Sequence, residues 1–445
     1  MLSRSTLRAP GASQQAAVYS DFKKKLGIKE VDRGLRSPWK ILQGNSGFRW
    51  YFLGSVTSDF GTWLQNTAQV MLAYQLAHSV LTVGCVTFAQ FTSPLVLGPW
   101  AGVAADKFGG RRTLLATQVA SAGTAAALAV AAFAGFLNAW VLIAGALITG
   151  LSFTFALPAR NITVQRLVPA DKLRPAYAMD SVSYNLGRTV APLLTMAMVW
   201  GGVSLGWAFA TNAVSFIAFG VVLWRIHMHA APEPKRQSRV RDGFMIARKD
   251  HRILILLLMV AAVTVADDPI LVLGPALAKH LHASPDWSGW FIASLGFGVV
   301  LGSFRRSKHE PTMRLAATAL AALALFMLLF VHAPTMWIGV IAAIGAGASC
   351  LIANSVTRAA LAEHAGREHS AAVMAVWAIA WAGSKPFASL IDGALGNSIG
   401  LGWTGLILAA PALIPFVVIM LEPRFGFWSK NLRVTPTGSL VTSDA

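Results

Sequence analysis

Six ionisable side chains lie inside long apolar runs of the chain: Asp59, Arg188, Asp267, Asp268, Lys385 and Asp392. A charge placed in hydrocarbon is costly, so by default it marks a relay, a solute pathway or a buried partner. A carboxyl in such a place can carry a proton, because burial favours its neutral form while water or a nearby cation favours the charged one. The set points to movement of protons and solutes rather than to bond-making chemistry.

Asp59 sits in a polar stripe. Advancing by about 100° per residue from Ser55 brings Asp59, Thr62, Asn66 and Gln69 into a band about 80° wide. In lipid such a band must face protein or water. The preferred reading is a cavity-lining face with Asp59 as first-choice proton carrier; the other is polar glue between helices.

Trp377, Trp381, Lys385 and Asp392 follow i, i+4, i+8 and i+15 spacing and share another face. Two indoles beside an ammonium suit a planar or anionic aromatic ligand. Equally, Lys385 pairs with Asp392 or another acid and the tryptophans only pack. Asp267 and Asp268 precede Pro269. Adjacent acids point about 100° apart, and the proline frees a carbonyl and permits a kink. Either one acid carries a proton while the other pairs with Arg188 or Lys385, or the span unwinds there and leaves both near the outer surface.

The elements that must position these groups are membrane helices. The chain is 55% hydrophobic and 13% charged, against about 25% charged for a soluble domain. Runs of about 20 apolar residues occur twelve times, near 50–76, 82–105, 113–136, 139–157, 177–200, 205–225, 253–278, 287–304, 315–332, 335–353, 371–395 and 402–421. Many of the fifteen tryptophans stand at the ends of these runs, where an indole keeps its body in lipid and its N–H wet. With a cytoplasmic N-terminus, 34 of the 37 basic residues fall on one side. The positive-inside rule then predicts that both termini are cytoplasmic.

Other classes fit poorly. The net charge of +18 is spread over short loops rather than gathered into a nucleic-acid footprint. Cys85 and Cys350 lie in apolar runs and read as small buried residues; metal-ligand spacing is absent, so no metal and no cofactor are expected. Neither a nucleotide signature nor paired loop carboxylates suggest an enzyme, and the scattered histidines, such as His280 and His282, read as solvated. Residues 1–47 show no signal-peptide core. They read as a basic cytoplasmic extension, or as a helix lying on an anionic membrane surface.

Six helices at 48–225 and six at 253–421 flank a basic linker, 226–252, and a cytoplasmic tail follows at 422–445. The halves echo each other: Pro158 to Arg160 leads through a basic loop to the polar stretch Asn185–Pro192, and Arg358 leads through a charged loop to Trp381–Pro386. Paired six-helix halves with a site at mid-membrane describe major facilitator transporters. The expected fold is therefore all-α and integral to the membrane, with twelve helices in two pseudo-symmetric halves.

The segment Gly102, Asp106, Lys107, Gly110, Arg111, Arg112 resembles that superfamily's cytoplasmic signature, Gly-x-x-x-Asp-Arg-x-Gly-Arg-Arg, with Lys107 for the first arginine and the basic pair shifted by one. The resemblance makes Asp106 the latch of a cytoplasmic gate, with Gly102, Lys107, Arg111 and Arg112 around it. Phe48-Arg49, Ser58 to Trp63, Pro158 to Arg160, Leu167 to Pro169 and Asn185 to Arg188 are similar to the branch of enterobactin exporters, macrolide efflux pumps and transmembrane secretion effectors. Gly187, Ala191 and Pro192 come close to the Gly-x-x-x-Gly-Pro pattern of proton-coupled drug antiporters. The resemblance implies a monomeric, proton-coupled exporter of a siderophore, secondary metabolite or drug in a bacterial-type inner membrane. An importer of a nutrient or lysolipid on the same fold, and a non-transporting assembly factor or sensor, are the alternatives.

Overall fold

The computed structural model describes residues 40–169, 172–227, 240–306 and 313–421. The expectations for the N-terminal extension before residue 40, for the centre of the linker at 228–239 and for the tail at 422–445 lie outside the described residues. Among the described residues the structure is helical and holds no strand.

A short α1 (Lys40–Gly44) leads into α2 (Ser46–Ala77), α3 (Val80–Phe108), α4 (Gly110–Phe133), α5 (Ala139–Leu167), α6 (Leu173–Trp200) and α7 (Gly206–Arg225). The linker contributes α8 (Val240–Lys249). The second series is α9 (His251–Asp267), α10 (Pro269–His280), α11 (Ser288–Arg306), α12 (Met313–Val331), α13 (Met336–His364), α14 (Gly366–Ser398) and α15 (Leu401–Leu421). With α9 and α10 counted as one broken helix, twelve crossings result, six on each side of the linker. Residues 40 and 421 therefore lie on the same side of the bundle, hereafter the terminal side.

Local chemistry accounts for the helix ends. The Asn45 side chain accepts from Phe48 N at 2.8 Å and donates to Leu167 O at 2.6 Å, capping α2 and tying it to the end of α5. Asn138 caps α5 and Thr335 caps α13 through the same acceptor geometry. Pro269 has no N–H to offer the preceding turn, and the helix breaks at Asp268.

Several boundaries differ from the sequence expectation. The fourth crossing was expected to stop at 157 but runs to Leu167, carrying Pro158 inside it; the tenth was expected to stop at 353 but continues to His364. Both extensions are polar, and packing against neighbouring helices keeps them helical where hydropathy falls. The linker is not wholly irregular either. Gly243 of α8 lies so close to α14 that a Cβ there would stand 2.2 Å from the Ala372 carbonyl oxygen.

Eight of these helices are long and apolar enough to cross a membrane by composition alone. Polar residues take α2, α6 and α14 out of that group, and those three carry most of the candidate site. The two halves meet mainly along two helix pairs, α3 with α14 and α6 with α11. Small residues set how near they come. A Cβ on Gly84 would be 2.4 Å from Ser389 O, and one on Gly296 would be 3.1 Å from Arg188 O. Helices in lipid gain from such close backbone approach because dispersion and polar contacts drive their association.

Candidate functional site

The predicted site residues separate into two clusters. The first lies within one half. Arg160 of α5 binds Asp59 Oδ1 through Nη1 at 2.8 Å and reaches Asp180 Oδ1 of α6 through Nη2 at 3.0 Å. Ser183 donates to Asp59 Oδ2 at 2.5 Å, and Arg160 Nη2 also donates to Ser55 Oγ. Asp59 is only 5% exposed. The stripe on α2 thus meets helices of its own half at Ser55, Asp59 and Asn66, the last accepting from Gln90 of α3 at 3.1 Å. This departs from the cavity-lining preference, since Ser55, Asp59 and Gln69 are buried. Sequence reading missed Asp180 and put Arg160 in a loop. Its signal was present, because Asp180 falls inside the fifth apolar run.

The second cluster bridges the halves. Arg188 of α6 pairs with Asp267 of α9 at 3.7 Å, and its guanidinium lies 5.6 Å from the Trp63 ring centroid. Cys350 of α13 donates to the same Asp267 at 3.7 Å. Lys385 of α14 pairs with Asp268 at 3.3 Å and lies 4.9 Å from the centre of the Phe91 ring on α3. Ser389 donates to the other oxygen of Asp268. Both acids at the helix break are therefore taken, one by each half. The break explains how adjacent residues reach partners on α6 and α14. The outer-surface alternative does not hold, because Asp267 is 8% and Asp268 1% exposed.

Asp392 stands apart. It is fully buried, and neither carboxyl oxygen has a hydrogen-bond partner among the described residues. The Lys385–Asp392 pair considered from spacing does not form; Lys385 turns to Asp268. Asp392 lies beside a close contact between the halves, where a Cβ on its neighbour Gly393 would meet Leu81 Cα at 3.0 Å.

Trp377 and Trp381 stack with planes 2° apart and centroids 6.0 Å apart. At about 100° per residue, Trp377, Trp381, Lys385, Ser389 and Asp392 occupy an arc of about 120° on α14. Phe387 and Ile391, which face outward at 54% and 46% exposure, lie off that arc. Along it, Trp381 is 41% exposed while Ser389 and Asp392 are sealed. The inner face is open towards the terminal side and closed beyond Lys385. On the closed side, Gln75 donates to Asp286 at 2.7 Å across the halves, and Trp200 of α6 meets Trp287 and Trp290 at 5.9 and 6.3 Å. His280, His282 and His332, read singly from sequence, line one pocket on that side.

A profile of the family described as transmembrane secretion effector matches residues 36–435. The chain belongs to that family. It is a branch of the major facilitator transporters, and relatives agree. An uncharacterised MFS-type transporter of Bacillus subtilis, YfiS, is 23% identical over 301 residues, covering 64% of this chain and 70% of its own. The staphyloferrin A transporter of Staphylococcus aureus is 21% identical, with 48% of this chain and 55% of its own aligned. Among solved structures, the POT family transporter PepTSo superposes with a TM-score of 0.67 at 13% identity, over 86% of this chain and 98% of its own. A D-xylose-proton symporter superposes at 0.64 and 14% identity, over 88% and 99%. These likenesses show the major facilitator fold.

The superfamily's signature-like loop occupies the turn between α3 and α4. Gly109 takes a left-handed φ of 84°, which glycine adopts freely. Gly110 packs against α5, where a Cβ would meet Ala159 O at 2.9 Å. Asp106, Lys107 and Arg112 are exposed. Arg111 donates to the carbonyl of Trp224 near the end of α7, where a cation complements the helix dipole. No Cβ contact lies within 4 Å of Gly102. The basic pair is thus engaged in part with its own half in this conformation, with the terminal side open.

Proposed function

We propose that this secretion effector is a proton-coupled exporter of a small organic molecule, working by alternating access in a bacterial-type inner membrane with both termini cytoplasmic. The observation that carries the reading is Asp392, a carboxyl buried with no hydrogen-bond partner among the described residues, where α3 and α14 close the far side. An ionised carboxylate there costs several kcal/mol, so closure favours the proton-bound acid. Opening the far side admits water and removes that preference. Protonation from outside then drives the return to the terminal-side-open form. The Arg188–Asp267 pair ties the two halves together, while the Lys385–Asp268 pair fixes α14 against the helix break within the second half. Asp59, held by Arg160 and Ser183, takes the part of a structural anchor, and Asp106 with its basic neighbours acts as the opposite gate. Export as the direction is supported by the family's description and by the family resemblance.

Comparing small molecules inside and outside cells lacking the gene tests this. A compound that accumulates inside, and is cleared by wild type but not by Asp392→Asn, is the expected result. Full gradient-driven export by Asp392→Asn refutes the proton assignment. A compound left unused outside turns the direction to import, and no change in any flux favours an assembly or sensing role.

A further inference from the structure

The transport reading leaves the cargo's chemistry open, and the α14 face restricts it. We infer that the terminal-side face formed by Trp377, Trp381 and Arg358 binds a planar aromatic anion; this rests on the transporter reading only for calling that ligand the cargo. The two indoles stack with their planes parallel to within 2°. Trp381 keeps 41% of its surface exposed on the arc that leads down to Lys385 and Asp392. An exposed indole on an inward-facing arc offers a stacking platform, because aromatic faces attract one another in offset geometry.

The charge beside that platform is positive. Arg358 of α13 lies 4.6 Å from the Trp377 ring centroid and is exposed. Arg160, Arg188 and Lys385 each have a carboxylate within 3.7 Å, whereas Arg358 has no ion pair among the described residues. Its guanidinium lies over the indole and keeps donors for an incoming carboxylate or phenolate. A cationic ligand would meet this uncompensated charge instead of an acid, since Asp267 and Asp268 are already paired. Trp381 and Asp392 stand eleven residues apart, about 16 Å along the helix. At that separation the ligand's charge acts on Asp392 only weakly, and the two communicate through closure of the halves.

Calorimetric titration of the full chain in lipid nanodiscs tests the class, with empty nanodiscs as the baseline. The probes are 2-naphthoate, 2-naphthylmethylamine and cyclohexanecarboxylate. Naphthoate is expected to bind about tenfold more tightly than either of the others. Trp381→Ala and Arg358→Gln are each expected to remove most of that preference, while Trp381→Phe, which keeps a flat ring, stays within about threefold of wild type. Unchanged thermal melting of each variant separates lost binding from lost folding. Equal or tighter binding of the amine, or naphthoate binding indifferent to both substitutions, overturns the inference. Naphthoate counterflow in proteoliposomes keeps the two readings distinct. Binding without counterflow sinks the transport reading and leaves the site standing. Proton-driven export of a cell metabolite by a chain that ignores naphthoate does the reverse.

Discussion

Gly84→Ala should prise open the side of the transporter that is closed in this structure. A Cβ at residue 84 would stand 2.4 Å from Ser389 O and 3.1 Å from Gly393 Cα. Backbone lies on both sides of that contact, so no side chain can swing away, and α3 and α14 must part by about 1 Å to restore a van der Waals distance. Overpacking of this kind costs about 1–3 kcal/mol, and the whole cost falls on the conformation in which these helices touch. The balance then moves towards the opened form by a factor of about 5 to 150. Cysteine cross-linking reads the shift. Ser79 Oγ and Asn397 Oδ1 are 3.4 Å apart across the two halves, and Ser79 makes no cap hydrogen bond that its replacement would lose. In a background with Cys85 and Cys350 replaced by alanine, Ser79→Cys and Asn397→Cys should join readily under mild oxidant. Adding Gly84→Ala should slow the joining by at least several-fold, whereas Gly123→Ala, where a Cβ meets nothing within 4 Å, should leave it alone. Equal cross-linking rates with and without Gly84→Ala would refute the argument that this contact closes the far side.

Asp286→Ala should act in the same assay, because the 2.7 Å bond from Gln75 to Asp286 joins the halves and a charge-assisted bond contributes about 1.5–3 kcal/mol; faster cross-linking in this variant would count against it. Arg160→Met should lower the melting temperature more than Asp59→Asn does. The arginine's loss strands both Asp59 and Asp180, with side chains 7% and 26% exposed, at about 3–5 kcal/mol, whereas Asp59→Asn leaves Arg160 paired to Asp180. Identical melting of the two variants would show that the cluster is not the anchor described.

What the sequence made legible follows from what lipid forbids. Spans, the linker and the list of buried charges could be read because each apolar run must be long enough to cross and each charge inside one is an exception. Pairing could not be read, since it depends on which helices touch. Asp59 and Asp392 looked alike as lone acids in apolar runs. One proved to be held by Arg160 and Ser183 within a single half, and the other, at the seam between halves, to have no hydrogen-bond partner among the described residues. The polar stripe on α2 illustrates the same limit. A stripe tells that something polar faces it, and here that is Gln90, Ser183 and Arg160 rather than open space. Spacing on α14 did carry through, because Trp377, Trp381, Lys385 and Asp392 share one continuous helix and their common face needs no knowledge of neighbours.

The seam also explains how a proton could move a pair of six-helix bodies. To shift a two-state balance from 1:99 to 99:1 takes about 5.5 kcal/mol of differential stabilisation. Desolvating one unpaired carboxylate costs several kcal/mol, which is of that order. Asp392 is fully buried on the helix whose Ser389 and Gly393 meet α3 at Gly84, so in the proposed cycle closing the far side and dehydrating the acid go together. A carboxyl on the flank of either half would be protonated or ionised without consequence for the other. Asp392 differs in that its helix neighbours Ser389 and Gly393 form the contact with α3 in the other half. A substitution that widens the seam should therefore weaken proton coupling even when Asp392 itself is untouched, and Gly84→Ala should do so in step with its effect on cross-linking.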